Sequence, residues 1–203
     1  MENGGTLHAT YMLGTVNPSY LIGRARGIDV KHEGSGNAGA SNAVILMGKS
    51  VGVVCGLFDI FKAYVAYKFC CMLFPMLEYA GIVAGTGCVL GHIFPVWMRF
   101  RGGKGLACLG GTILAHDWRF FCLLLAAEIA LVLIVSYICV VAITASVIFP
   151  VAYAIGGGHI AGIVALSVVA VVMLIKHREN LLRIRQGREV RISYLWNKEA
   201  EEE

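Results

Sequence analysis

Charge is scarce in this chain. Asp, Glu, Lys and Arg make up 15% of its 203 residues, where an ordinary soluble domain carries about a quarter. With 58% hydrophobic residues and a mean hydropathy of +0.73, a soluble globular protein is excluded and an integral membrane protein is indicated. No Cys-x-x-Cys pair occurs. The seven cysteines, Cys55, Cys70, Cys71, Cys88, Cys108, Cys122 and Cys139, lie mostly inside apolar runs and read as small hydrophobes rather than disulfides or metal ligands. His-Glu-x-x-His, a Cys/His ligand set and Gly-x-Ser-x-Gly are also missing, which argues against a metalloprotease or serine hydrolase. Neither a metal nor a cofactor is expected. The opening Met-Glu-Asn-Gly-Gly-Thr-Leu-His lacks a basic segment, so the first apolar stretch is expected to stay as an anchor rather than be cleaved as a signal peptide.

Long hydrophobic runs take the place of what is missing. A helix needs roughly 20 apolar residues to cross the hydrocarbon core. Seven segments reach or approach that length: 6–23, 51–74, 79–97, 105–116, 120–141, 142–153 and 160–175. The expected fold is all-α, a polytopic membrane helical bundle of about seven transmembrane helices. It forms one membrane-embedded domain over 1–198, followed by an acidic tail at 199–203. Segment 105–116 is short and reads as a re-entrant or broken helix as readily as a crossing. The run 120–153 is one long helix or two short ones, with Pro150 and Gly156-Gly157-Gly158 favouring a break.

Basic residues set the orientation. Arg24, Arg26, Lys31 and Lys49 follow the first span, Arg99, Arg101 and Lys104 the third, and Lys176, Arg178, Arg183, Arg185, Arg188, Arg191 and Lys198 the last; Lys62, Lys68 and Arg119 alone fall elsewhere. The positive-inside rule makes that face cytoplasmic, with the amino terminus outside and the carboxyl terminus inside. The formal net charge of +4 follows from this asymmetry, and no nucleic-acid partner is called for.

Three polar clusters fall on the same face. They are Gly34-Ser35-Gly36-Asn37-Ala38-Gly39-Ala40-Ser41-Asn42, then Gly91-His92-Ile93-Phe94-Pro95 leading to Arg101-Gly102-Gly103-Lys104-Gly105, and finally His177-Arg178-Glu179-Asn180 with Arg183 and Gly187. Glycines let backbone amides approach an anion, helix starts point further amides at it, and lysine adds a point charge. Gly34, Gly36 and Gly39 also match Gly-x-Gly-x-x-Gly, with Asp59 downstream. A dinucleotide site needs a strand before that turn and a soluble acid after it, and this chain offers neither. Gly48-Lys49-Ser50 resembles the end of a P-loop, but Ala43 stands at the first glycine position and no strand precedes it.

Charges inside the spans are few. Asp59 and Lys62 stand one helical turn apart and read first as an internal pair, second as a substrate contact. Glu128 has no evident partner in the sequence. His8, His116 and His159 fall near the outer boundary.

Ser-Gly-Asn-Ala-Gly-Ala-Ser-Asn at 35–42, Gly-His-Ile-Phe-Pro at 91–95 with Phe-Arg-Gly-Gly-Lys-Gly at 100–105, and His-Arg-Glu-Asn-Leu-Leu-Arg at 177–183 with Gly187 and Glu189 resemble the three motifs of the bacterial acyl-phosphate:glycerol-3-phosphate acyltransferases of the PlsY type. The resemblance runs from Leu21 to Arg191. It implies an enzyme of the bacterial cytoplasmic membrane, its active site facing the cytoplasm, that transfers an acyl group from acyl phosphate to glycerol 3-phosphate. The products are lysophosphatidic acid, a step in phospholipid biosynthesis, and phosphate. By the same resemblance Ser35, Gly36, Asn37 and Gly39 form a phosphate cradle, together with Asn42. Lys104, with Gly102, Gly103, Arg101 and His92, serves the phosphate or the developing oxyanion, while His177, Asn180 and Arg183 orient the acceptor. Either His177 or the substrate phosphate acts as base, and Glu179 or Asp59 would have to fold back to hold the histidine tautomer. The His-x4-Asp motif of soluble-domain acyltransferases is absent, since His92 is followed by Trp97 and His177 by Leu182 at that spacing.

The chain departs from the family pattern at Ile45, where arginine is usual, and at Arg101, Cys108 and Ala63. Between the fifth and sixth spans it offers only Thr144 and Ser146. Lys49, four residues past Ile45, falls on the same face if one helix continues through both. Two other readings remain: a transporter or channel for a phosphorylated solute, suggested by the short fourth segment and the Asp59/Lys62 charges, and a diverged relative with another acceptor or no activity, suggested by Ile45.

Overall fold

The first apolar stretch is not one helix. Asn17 and Pro18 break it into α1 (Asn3–Thr15) and α2 (Pro18–Ala25). Proline at the first position gives up no hydrogen bond, and the Asn17 side chain accepts from Tyr20 N at 2.9 Å, which makes this a strong helix start. The computed structural model describes residues 3–192, so the acidic tail at 199–203 and Lys198 lie outside the described residues.

The helices that follow are α3 (Ala40–Met47), α4 (Lys49–Leu73), α5 (Ala80–Ile93), α6 (Leu106–His116), α7 (Trp118–Val135), α8 (Ile138–Ile155) and α9 (Ile160–Arg185), with a 3-10 turn at Val96–Met98 between α5 and α6. Among the described residues there is no strand. Among the described residues, five segments are long and apolar enough to cross a membrane: Lys49–Leu73, Ala80–Met98, Trp118–Val135, Ile138–Ile155 and Ile160–Arg185. The 13-residue α1 and the 11-residue α6 fall short of a full crossing by length alone.

Two local expectations are corrected. The break in 120–153 comes at Ser136, whose φ of 65° ends α7, while Pro150 sits inside α8 without interrupting it. Membrane helices accommodate proline when neighbours satisfy the freed groups. The three glycines do mark an end, with Gly156 capping α8 and Gly157 at φ 78°. Lys49 does not share a helix face with Ile45, because Gly48 at φ 95° separates α3 from α4.

Small residues set how closely the helices approach. A Cβ on Gly14 of α1 would meet the Cys88 carbonyl oxygen of α5, and one on Gly91 would meet the Tyr11 carbonyl oxygen. On the other side of the bundle, Gly111 of α6 abuts the Ile60 carbonyl of α4. Such backbone contact is what membrane helices use where lipid gives no hydrophobic drive to associate. Tyr11 Oη donates to Phe94 O at 2.6 Å and Trp97 Nε1 to Thr15 O at 3.1 Å, tying α1 to the end of α5. Gly91→Leu should therefore lower the thermal unfolding midpoint in detergent by the equivalent of about 1–3 kcal/mol or more. Gly5→Ala, with nothing within 4 Å of the added carbon, should leave it unmoved.

Candidate active site

The first glycine turn is folded around Asn42. That buried side chain accepts from Ser35 N at 2.8 Å, and its Nδ2 donates to Val30 O at 2.9 Å and Glu33 O at 3.1 Å. Gly34 and Gly36 take φ of 60° and 68°, a left-handed backbone that glycine adopts without strain. Asn17 Nδ2 reaches the far end of the turn, donating to Ala38 O at 2.7 Å. Asn42 is thus a brace from within, and the surface it supports is Ser35, Asn37 and Gly39.

The second turn lies on His92. Gly103 N donates to His92 O at 3.1 Å and Gly102 N to Ile93 O at 3.1 Å. A Cβ on Gly102 would strike the His92 carbonyl oxygen, and one on Gly103 would strike His92 Nε2. These glycines serve close packing, and the residue they deliver is Lys104, whose ammonium donates to Asn180 Oδ1. Burial first, then the charge of Arg183, pushes the Lys104 pKa below the usual lysine value of 10.5, against the opposing pull of Glu189. Arg101 is exposed.

His92 is itself held from beneath. Lys62 and Asp59 of α4 are 1% and 2% exposed, with Lys62 Nζ 2.7 Å from Asp59 Oδ1. The same ammonium donates to Gly14 O at 2.9 Å and Val16 O at 2.7 Å, and lies 3.1 Å from His92 Nδ1. Asp59 Oδ1 is 3.3 Å from His92 Nδ1; its contacts are charge contacts, since no donor meets it in hydrogen-bond geometry. Asp59 and Lys62 form the internal pair of the first reading of the sequence, and Asp59 also lines the cavity described below. Asp59, His92 and Cys108 bring ligand-type atoms within 4.8 Å of one another, and the Lys62 ammonium already lies against two of them, Asp59 Oδ1 and His92 Nδ1.

The third cluster closes the arrangement from α9. His177 Nδ1 lies 2.8 Å from Met173 O. A carbonyl only accepts, so Nδ1 carries the hydrogen and a neutral ring leaves Nε2 free to accept. The tautomer is held by the helix backbone, not by Glu179 or Asp59. Asn180 Nδ2 donates to Glu189 Oε1 at 2.6 Å and Arg183 Nε to Glu189 Oε2 at 2.7 Å. Beyond Gly187 the chain folds back as a strap, and Ile192 N donates to Ser136 O at 2.8 Å in the α7–α8 turn.

Ser35, Lys104 and His177 line one cavity of about 800 Å³. Asn37, Gly39, His92, Asn180 and Arg183 line it as well. Gly36, Asn42, Arg101, Gly102 and Gly103 do not, nor does Lys49; Ile45 does. The cavity continues between α6, α7 and α8 along an apolar wall that includes Leu106, Ile113, Phe121, Leu124 and Ala142. Three charged lining residues, Arg188, Arg191 and Glu128, were given no site role by the sequence. Arg188 and Arg191 were read as orienting charges, and Glu128 had no partner until the fold set Thr144 Oγ1 2.7 Å from its Oε1.

A sequence model of the family described as glycerol-3-phosphate acyltransferase matches residues 5–187. The chain belongs to the glycerol-3-phosphate acyltransferase family. A family relative from Rhizobium meliloti, named glycerol-3-phosphate acyltransferase, is 37% identical over 188 residues, covering 90% of this chain and 88% of its own. One from Mesorhizobium japonicum, of the same name, is 34% identical, covering 90% and 92%. Among solved structures, the fold is similar to PlsY, described as an integral membrane glycerol 3-phosphate acyltransferase. Its glycerol 3-phosphate form superposes with a TM-score of 0.88 at 27% identity, covering 96% of this chain and 98% of that one. Its lysophosphatidic acid form gives 0.83 at 27% identity, covering 94% and 95%.

Lys62→Met leaves Asp59 buried without its cation, a change that typically costs about 3–5 kcal/mol. It should lower the unfolding midpoint strongly. Adding Asp59→Asn should recover part of the loss, and a double-mutant cycle on thermal unfolding measures the coupling.

Proposed function

We propose that this protein is an acyltransferase of the bacterial cytoplasmic membrane, moving a fatty acyl group from acyl phosphate to a hydroxyl of glycerol 3-phosphate. The products are lysophosphatidic acid and inorganic phosphate, and the reaction belongs to phospholipid biosynthesis. What carries this reading is that Ser35, Lys104 and His177 line the same cavity as a long apolar wall. Both substrates bear a phosphate and one bears an acyl chain, so their site needs anion-binding groups beside an apolar slot.

The donor phosphate lies on the Ser35–Gly39 turn, where the Ser35 hydroxyl and Asn37 side chain meet it and the Lys104 ammonium opposes its charge. Asn180 and Arg183 orient the acceptor. Its hydroxyl oxygen attacks the acyl carbonyl carbon, the bond from that carbon to the phosphate oxygen breaks, and phosphate leaves with the electron pair. The hydroxyl proton passes to His177 Nε2, the ring position left free by the Met173 contact, and from there to the departing phosphate. Phosphate leaves readily, so no covalent enzyme intermediate is needed and Ser35 acts as a binding group. Positioning and charge supply the rate.

The basic residues around the three motifs orient the site towards the cytoplasm. The short helices complete the crossings. α6 begins beside Lys104, and its last residue, His116, packs against Tyr153 near the end of α8, with ring centroids 5.3 Å apart. Counting α6 and α1 with the five long segments gives seven crossings, with the amino terminus outside and the carboxyl terminus inside.

Purified protein given palmitoyl phosphate and glycerol 3-phosphate should release phosphate and form lysophosphatidic acid. Lys104→Ala and His177→Ala should each lower kcat/KM by roughly 10²–10³; full activity in both would remove the site. Because burial and Arg183 favour the neutral amine of Lys104, rising pH discharges it sooner than an exposed lysine. The alkaline limb of the rate profile should therefore fall below the usual lysine range, and shift upward in Lys104→Arg.

A further inference from the structure

The cavity wall between α7 and α8 carries one polar interruption. Glu128 lines it, flanked on α7 by Leu124 and Leu125 and faced on α8 by Ala142 and Ala145. Its side chain is 5% exposed. Both carboxyl oxygens converge on Thr144 Oγ1, at 2.7 and 2.8 Å. That hydroxyl has a single hydrogen and also lies 2.9 Å from Val140 O. One hydrogen cannot serve two carboxyl oxygens, so the pair keeps hydrogen-bonding capacity its protein neighbours leave unused.

The depth of this pair bears on what it meets. The α7–α8 turn at Ser136 is joined through Ile192 to the strap, whose Arg188, Glu189 and Arg191 line the polar part of the cavity. Glu128 precedes Ser136 by eight residues on α7, which at 1.5 Å per residue is about 12 Å along the helix. A chain running down the apolar wall from the phosphate-binding turns passes Glu128 part-way along its length.

We propose that Glu128 and Thr144 read the acyl chain, favouring a donor that carries a hydroxyl part-way along it over one with an unbroken methylene chain. The inference rests on the acyl-transfer reading above. A hydroxyl both donates and accepts, so it completes the carboxyl and the threonine together. A plain chain lays methylenes against the carboxyl and leaves its capacity unmet, and a site built to bind a hydroxyl discriminates against the analogue that lacks it.

The test gives the purified full-length protein glycerol 3-phosphate with palmitoyl phosphate, or with monohydroxylated palmitoyl phosphates whose hydroxyl is moved stepwise along the chain. The kcat/KM ratio of hydroxylated to plain donor should peak at one position, at about five- to tenfold. In Glu128→Leu the ratio should fall to about one, whereas Glu128→Gln, which still hydrogen-bonds, should keep most of it. A simple clamp between α7 and α8 would change both donors alike and leave the ratio unaltered. A flat profile in the unaltered protein, or a peak surviving in Glu128→Leu, overturns the proposal. If no donor is turned over, the acyl-transfer reading fails. The ratio of thermal shifts given by hydroxylated and plain hexadecyl phosphonates, in unaltered protein and Glu128→Leu, then decides the role of the pair on its own.

Discussion

An ammonium group inside an apolar bundle organises this protein. Lys62 gathers the Gly14 and Val16 carbonyls at the end of α1, the Asp59 carboxylate and the His92 ring at one point. Lys62, Asp59 and His92 are almost wholly buried, and each would be expensive to leave unpaired there. The backbone of His92 then carries the Gly102–Gly103 turn, and the turn carries Lys104. A buried charge thus supports the turn from which Lys104 reaches the cavity.

The site reflects a conflict between two solvents. Phosphate requires amides and cations, and an acyl chain requires hydrocarbon. Glycine turns bring Ser35, Asn37 and Lys104 to the cavity without bulky side chains of their own, and Asn42 and Asn17 brace the first turn from within. Helices α6, α7 and α8 meet the second by presenting aliphatic surface directly below. Glu189 holds Asn180 and Arg183 with its two oxygens, so a carboxylate already balances part of the positive mouth.

Much of this was legible in the sequence, for physical reasons. The apolar runs are long, so the membrane class and the longer helices follow from composition and length. The three motif clusters mark where polar chain must interrupt those runs, and Ser35, Lys104, His177, Asn180 and Arg183 do meet in one cavity. Packing was harder to read. Asn42, Gly102 and Gly103 belong to the same motifs but turn inward, a distinction between binding and bracing that residue type alone does not make. The break at Ser136 arises where the α7–α8 turn meets the returning strap, a contact between distant parts of the chain, while Pro150, the stronger local signal, is absorbed within α8. The Glu128–Thr144 pair likewise spans two helices, whereas Asp59 and Lys62, one turn apart on α4, were visible as neighbours.

The central claim is that separate polar turns converge on one phosphate at the head of an apolar slot. A structure of the protein with a nonreactive acyl phosphonate tests it most directly. The account predicts the phosphonate in contact with both the Ser35–Gly39 turn and the Lys104 ammonium, its chain lying between α7 and α8 past Glu128. A phosphonate bound away from either turn, or a chain lying on the lipid-facing surface of the helices, would contradict it.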